Sequence, residues 1–295
     1  MDRFRIGQLE VTRVEEKVHY FDADEFFPDI SRTVVQEHAS WLAPFFDIAG
    51  HRMPCVFQAF VIRHGGLTIL IDSCIGNDKD RPDFLLAHRL HTPFLERLHA
   101  AGCDPADVDL VLCTHMHVDH VGWNTRLENG RWVPTFPKAT YVFSQEEYAR
   151  YAPENLRPDD LPPFLNIYQD SVLPVIESGQ ALLVSGEHQV NEILTVVPTP
   201  GHTPGHVSVR AEHGGEAGIF LGDVIHSPVQ MATPDLNSAY CEIPALARQS
   251  RRRILEAAAE SNTLLVPGHF LPPHVGRVVR EGSHFRFLAG VQSCR

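Results

Sequence analysis

Short apolar runs separated by polar turns dominate the chain, and most read as strands rather than helices. Residues 57–62 and 68–71 are rich in β-branched and aromatic side chains. They are joined through Arg63-His64-Gly65-Gly66, a turn signal that predicts a hairpin. Residues 108–113 alternate poorly, as a strand buried on both faces does, and the runs 193–197, 219–221 and 264–266 share that β-like, apolar character. Three stretches carry helix signals. Residues 92–102 offer Thr92 as a cap, Pro93 in the first turn and Gly102 as a stop. Ser144-Gln145-Glu146-Glu147 reads as a capping box opening a helix toward Tyr151, which Pro153 ends. From Pro244 to about Glu260, Ala247, Ile254, Leu255 and Ala258 form an apolar stripe. The pattern shows no internal repeat, low-complexity tract or linker.

The turns that close these strands carry the chemistry. Directly after 108–113 comes Thr114-His115-Met116-His117-Val118-Asp119-His120. At a strand end His115 and His117 face the same way, because side chains two apart project to one side. The turn at Asp119-His120-Val121-Gly122 swings two more ligand-type groups round the same point. Neutral imidazole is the commonest protein ligand for transition metals, and one ion does not easily take all four groups, so the spacing points to two adjacent ions. Three more strands close in the same manner, on the turn of Gly201-His202, on Gly222-Asp223 and on Gly268-His269. Loops held at strand ends by a rigid sheet are where catalytic groups usually sit.

As an ordered set these motifs resemble the metallo-β-lactamase superfamily over residues 55–277. The family's first motif, a strand ending in aspartate, is matched by 67–73 with Asp72, and its His-x-His-x-Asp-His motif by His115, His117, Asp119 and His120. The His202 turn, Gly222-Asp223 and Gly268-His269 complete the series. The resemblance implies an α/β fold of four αββα layers, two mixed sheets back to back with helices outside. It implies one metal held by His115, His117 and His202, a second by Asp119, His120 and His269, and Asp223 bridging them. Asp72 would orient ligands without binding metal. The donors are nitrogen and oxygen only, a set that suits zinc foremost and also iron, manganese or cobalt.

Length, composition and charge narrow the picture. A chain of 295 residues with 43% hydrophobic and 21% charged positions suits one domain spanning 1–295, with 1–54 as an N-terminal arm or lid. The formal net charge of −12 argues against nucleic acid as substrate, because phosphate contacts need clustered Lys and Arg. The one basic run, Arg251-Arg252-Arg253, reads as a solvated helix face or a partner of nearby acids. The six cysteines show no Cys-x-x-Cys pair and no disulfide-like spacing; Cys55 and Cys113 read as core, and Cys74, close behind Asp72, as packing or else as a group approaching the metal site. No apolar run approaches the ~20 residues that span a bilayer, and the N-terminus has no secretory signal pattern, so the expected location is the cytoplasm, away from membrane.

These residues lead to a dinuclear metal-dependent hydrolase acting on a small-molecule substrate, a small and largely apolar ester or lactone, through a metal-bridging hydroxide. Asp119 would ligate and orient that hydroxide. His226, three residues past Asp223, would donate to the oxyanion or protonate the leaving alkoxide where related lactonases carry a tyrosine, or else pack the loop. His206 reads as a turn-stabilising group. Trp123, next to the ligand loop, is the candidate substrate-binding wall, with the insertion 124–170, including Trp132, Phe136, Tyr148, Tyr151 and Phe164, forming the other side. The N-terminal aromatics Tyr20, Phe21, Phe26, Phe27, Trp41, Phe45 and Phe46 suit an overhang on the pocket, a satellite core or a homodimer interface. A phosphotriesterase is the runner-up, the motif spacing being similar to methyl parathion hydrolase, and a mononuclear iron dioxygenase of the same superfamily is a third reading, disfavoured by the full ligand set. His117, where flavin-linked di-iron reductases carry glutamate, argues against that branch, and Asp223 argues against the lactamases with a cysteine ligand.

Overall fold

Residues 3–157 and 166–290 are described by the structure, a computed structural model. In chain order the first strands are β1 (Arg3–Ile6), β2 (Leu9–Asp22), β3 (Arg52–His64), β4 (Leu67–Ile71) and β5 (Leu110–Leu112). A separate hairpin of β6 (Thr125–Glu128) and β7 (Arg131–Pro134) intervenes. Then β8 (Thr140–Ser144) and β9 (Ala181–Val184) complete a seven-stranded sheet in the order β1-β2-β3-β4-β5-β8-β9. The second sheet takes its seven strands in chain order: β10 (His188–Gln189), β11 (Leu194–Pro198), β12 (Val207–His213), β13 (Glu216–Phe220), β14 (Leu264–Val266), β15 (Gly276–Glu281) and β16 (His284–Ala289). Both sheets are mixed: β4, β5, β8 and β9 run parallel in the first, and β13 and β14 in the second.

Three apolar layers hold the sheets and helices together. Between the sheets lie Ile6, Leu9, Val11, Phe60, Ile62, Ile69 and Ile71 against Leu194, Val196, Val209, Phe220 and Val266. Outside the first sheet, Phe94 and Leu98 of the helix Phe94–Ala100, Tyr151 of the helix Gln145–Tyr151, and Val175 of the helix Leu173–Glu177 pack on Val61, Leu70, Val111 and Tyr141. Outside the second, Ile254, Leu255 and Ala258 of the helix Pro244–Ser261 cover Ile219, Leu265 and Val278. The result is the four-layer αββα sandwich that the motif order implied.

Local signals fared unevenly. The 57–71 hairpin forms, with φ of +58° at Gly65 and +85° at Gly66, the left-handed backbone that a tight hairpin turn demands. Thr92 does not cap its helix. Pro93 occupies the cap position without a side-chain bond, and the Thr92 hydroxyl donates instead to Glu16 at 2.8 Å. The Ser144 hydroxyl accepts from the Glu147 N–H at 3.3 Å, but the reciprocal arm of the capping box is missing because the Glu147 carboxylate is engaged elsewhere. Arg251 is a correction of a different kind. It is fully buried, and its guanidinium donates to the carbonyls of Val224, Pro234 and Leu236, closing the loops around the helix; only Arg252 pairs with an acid, Asp235. No helix among the described residues is long and apolar enough to cross a membrane, and Cys55, Cys74, Cys103, Cys113 and Cys241 are free thiols, Cys294 lying outside the described residues.

Candidate metal centre

The strands β4, β5, β11, β13 and β14 all deliver their carboxyl ends to one edge of the sandwich, the usual place for a site in sheets with parallel strands. His117 occupies the cap position, without a side-chain bond, of the short helix Val118–Val121, which turns Asp119 and His120 back toward His115. Gly222, at φ +55°, lets the chain pass against Thr114 and His206; a Cβ there would lie 2.7 Å from the His206 ring and 2.8 Å from the Thr114 side chain. Any other residue would push Asp223 out of place.

Seven expected ligands converge. Donor atoms of His115, His117, His202 and Asp223 all lie within 4.8 Å of one another, and so do those of Asp119, His120 and His269. Asp223 stands between the groups. Its Oδ2 lies 3.7 Å from Nε2 of His115 and 3.3 Å from Nε2 of His202. Its Oδ1 lies 2.9 Å from Nε2 of His269 and 3.5 Å from Nε2 of His120. Asp119 Oδ2 is 3.5 Å from His120 Nε2 and 3.7 Å from His269 Nε2. All but Asp119 are buried.

His115, His120 and His269, and His206 beside them, are held from behind, and that bond selects the free nitrogen. The Val56 carbonyl can only accept, so the His269 Nδ1–H donates to it at 2.9 Å and Nε2 faces the cluster. Asp72, where the first motif placed it, accepts at Oδ1 from the Thr114 N–H (2.7 Å) and at Oδ2 from the Thr114 hydroxyl (2.9 Å) and His120 Nδ1 (2.9 Å). Its proton being committed to Asp72, the Thr114 hydroxyl accepts from His115 Nδ1 at 3.1 Å. His206 takes the Asp223 N–H on Nε2 at 3.0 Å, so its Nδ1–H donates to Thr199 at 2.9 Å: it steadies the turn and orients Asp223 without joining either group.

A metal pair fits these residues by their unmet bonding. Nε2 of His115 and of His120 is buried without a hydrogen-bond partner, an arrangement that costs about 1–3 kcal/mol per group unless something fills it. Burial holds His115 and His202 well below the usual imidazole range and His117 down at about 4, so these three stay neutral. Burial also opposes charge on His120 and His269, but the carboxylates of Asp223 and, for His120, Asp119 and Asp72 outweigh it and raise both. Asp223 is held well below the carboxylate range because His269, His120 and His226 outweigh its burial. Ligand imidazoles must be deprotonated, so taking up cations at this second group releases protons.

The centre opens into a cavity of about 700 Å³, including its solvent-open mouth. His117, Asp119, His202, Asp223, His226 and His269 line one end, and Phe21, Phe26, Phe57, Phe84, Leu86 and Tyr240 wall the rest. His226 stands at the junction, with Nε2 3.2 Å from Asp223 Oδ2, Nδ1 without a hydrogen-bond partner, and the Phe26 ring at 5.2 Å. Trp123 is not a wall. Its indole stacks on Phe94 within the core behind the first sheet and donates to Glu16 at 2.7 Å, because the turn after Val121 sends it away from the centre. The described residues of the 124–170 insertion do not line the cavity either: Phe136 and Tyr151 are core, and Trp132 lies under the Lys79 ammonium at 3.7 Å; Phe164 lies outside the described residues. The N-terminal aromatics divide: Phe21 and Phe26 overhang the cavity, Phe27, Trp41 and Phe46 form a satellite core, Phe45 joins the layer under the second sheet, and Tyr20 is half exposed beneath Arg52. Tyr240 carried no signal in the sequence, since no metal motif is near it; it arrives by packing on Phe26 at 5.3 Å.

A histidine–aspartate cluster on the edge of an αββα sandwich is the arrangement of one large class of hydrolase-fold proteins. The model of the metallo-beta-lactamase superfamily matches residues 54–269, and the chain belongs to that superfamily. It is 32% identical over 127 residues to the N-acyl homoserine lactonase AttM of Rhizobium radiobacter, a match covering 39% of this chain and 40% of that protein's length. Among solved structures, AbOPH, a hydrolase in the beta lactamase superfamily, superposes with a TM-score of 0.82 at 23% identity, covering 99% of this chain and 97% of that one. AidC, a dizinc quorum-quenching lactonase, superposes at 0.81 with 18% identity, covering 98% and 97%.

Proposed function

We propose that the protein is a dinuclear metal-dependent hydrolase of neutral, largely apolar esters or lactones. The observation that carries this reading is the placement of Asp223, with one oxygen toward His115 and His202 and the other toward His120 and His269. His115, His117 and His202 would hold one ion, Asp119, His120 and His269 the other, and Asp223 both. The donors suit zinc, which when bound ionises water near pH ~7 and polarises a carbonyl.

The chain's own groups supply the rest. Asp119, at the cavity floor, accepts a hydrogen bond from the attacking water and so aims it. His226 donates an N–H to the carbonyl or leaving oxygen, which carries growing negative charge as the acyl bond breaks. Phe26, Phe57, Phe84 and Leu86 exclude water and hold the apolar part of the substrate. Among the described residues no lysine or arginine lines the cavity, so a substrate anion seated against the aromatic wall, away from the metal end, would be buried unpaired at high cost. A neutral lactone suits this wall, and the carboxylate of its hydroxy-acid product forms at the metal end, away from the rings. The name of the lactonase relative agrees with a lactone substrate. The same neutral wall admits a phosphotriester, which keeps phosphotriesterase activity as the second reading.

Metal analysis of the purified protein, followed by assays on acyl-homoserine lactones, aryl esters, phosphotriesters and β-lactams, tests this. The expected result is two metals per chain, turnover of lactones or aryl esters, and inert β-lactams, which carry a carboxylate. Full activity in metal-free protein would end the proposal, and turnover of β-lactams alone would overturn the substrate class.

A further inference from the structure

We infer that Glu147 is a positioning residue that sets the distance between the two loops bringing His115, His117 and His202 together. This rests on the two-metal reading above. Glu147 lies on the first turn of the helix Gln145–Tyr151 and is buried. Its Oε1 accepts the N–H of Met116, the residue between His115 and His117, at 2.9 Å. Its Oε2 accepts the Thr203 hydroxyl at 2.7 Å and the Gly205 N–H at 3.0 Å, both just past His202. One carboxylate thus clamps the two loops to each other, and Nε2 of His202 comes to lie 2.9 Å from Nδ1 of His117. The fit is close: a Cβ on Gly205 would stand 2.1 Å from the Glu147 nitrogen, so only glycine lets the His202 loop reach the helix.

The clamp serves one group only. His120 is oriented by Asp72 and His269 by the Val56 carbonyl, and neither contact involves Glu147. A glutamine at 147 keeps the size but has one acceptor oxygen. Met116 and Gly205 present their N–H groups to different carboxylate oxygens, so the amide nitrogen must face one of them donor to donor.

The test is chelator competition on the zinc-loaded full chain, comparing wild type, Glu147→Gln, Glu147→Asp and Thr203→Val, with the melting temperature of each metal-free form. Glu147→Gln is expected to weaken one of the two zinc equivalents by roughly 10–100-fold, the usual scale for outer-shell partners, and leave the other within about threefold. Thr203→Val should weaken the same single equivalent by less, and Glu147→Asp should fall between wild type and Glu147→Gln. Both equivalents loosening together, in step with a lower metal-free melting temperature, would mean a merely structural role and overturn the inference. So would two equivalents held as in wild type in Glu147→Gln, or in Thr203→Val should the glutamine variant not fold. A wild type that takes up fewer than two equivalents overturns the dinuclear reading as well, whereas two in the wild type with an unchanged variant overturns this inference alone.

Discussion

In the metal centre at one end of the cavity, His115, His120 and His269 are each fixed from behind by a hydrogen bond, to Thr114, Asp72 and the Val56 carbonyl. At the other end Phe21, Phe26, Phe57 and Phe84 are placed by packing, with no polar atom to anchor them. Directional bonds hold donor atoms to a fraction of an ångström, as coordination requires. Apolar contacts are non-directional and tolerate rearrangement. The metal end is therefore expected to fail abruptly on substitution, and the apolar end to shift preference by degrees.

Four substitutions sharpen or break that contrast. Asp223→Ala takes the shared carboxylate from both groups and is expected to abolish hydrolysis with loss of both metals, read by metal analysis beside the assay; retention of two metals would show that the groups do not depend on one carboxylate. His226→Phe is expected to lower kcat by about 10²–10³, the usual loss for a donor at a developing oxyanion, with metal content unchanged. Metal loss in that variant would assign His226 to holding Asp223 instead. Phe26→Ala should raise KM roughly tenfold for long-chain substrates and little for short ones, a methylene in an apolar pocket being worth about 1–3 kcal/mol; equal loss for both would mean that Phe26 supports the centre rather than the pocket. Trp123→Phe should leave KM unchanged and lower stability by about 1–3 kcal/mol, since the buried Glu16 carboxylate loses a donor. A changed KM would return Trp123 to the cavity wall.

The metal end was legible because its grammar is local. His115 to His120 fall within one turn, and Asp72, His202, Asp223 and His269 each follow an apolar run that a strand explains. The apolar end was legible only in part. Phe21 and Phe26 were readable as candidates, whereas Phe57 sits within a strand like any core residue, and Phe84 and Tyr240 belong to no motif. Trp123 misled because neighbourhood along the chain is not neighbourhood in space: one short turn sent it to Phe94 and Glu16. Glu16 itself gave no sign. A register shift between Glu15 and Lys17 in β2 turns it inward, where it gathers the Ile75 N–H, the Thr92 hydroxyl and the Trp123 indole. The capping-box pattern at Ser144 was right about the helix and wrong about Glu147, whose carboxylate bonds across the fold to Met116, Thr203 and Gly205 and not back to Ser144.

By itself the amino-acid order determined the kind of side chain at each strand end and the alternation of strands and helices, which are consequences of periodicity and of motifs a few residues long that neighbours along the chain enforce. The αββα layering was implied by the resemblance of the ordered motifs to a known superfamily. Only the tertiary structure decided which nitrogen each imidazole presents, that Asp223 faces both groups, and which rings wall the cavity. Much of this depends on partners far along the chain, as Asp72 with His120, 48 positions away, and Val56 with His269, 213 positions away, show, and no local rule reaches that far.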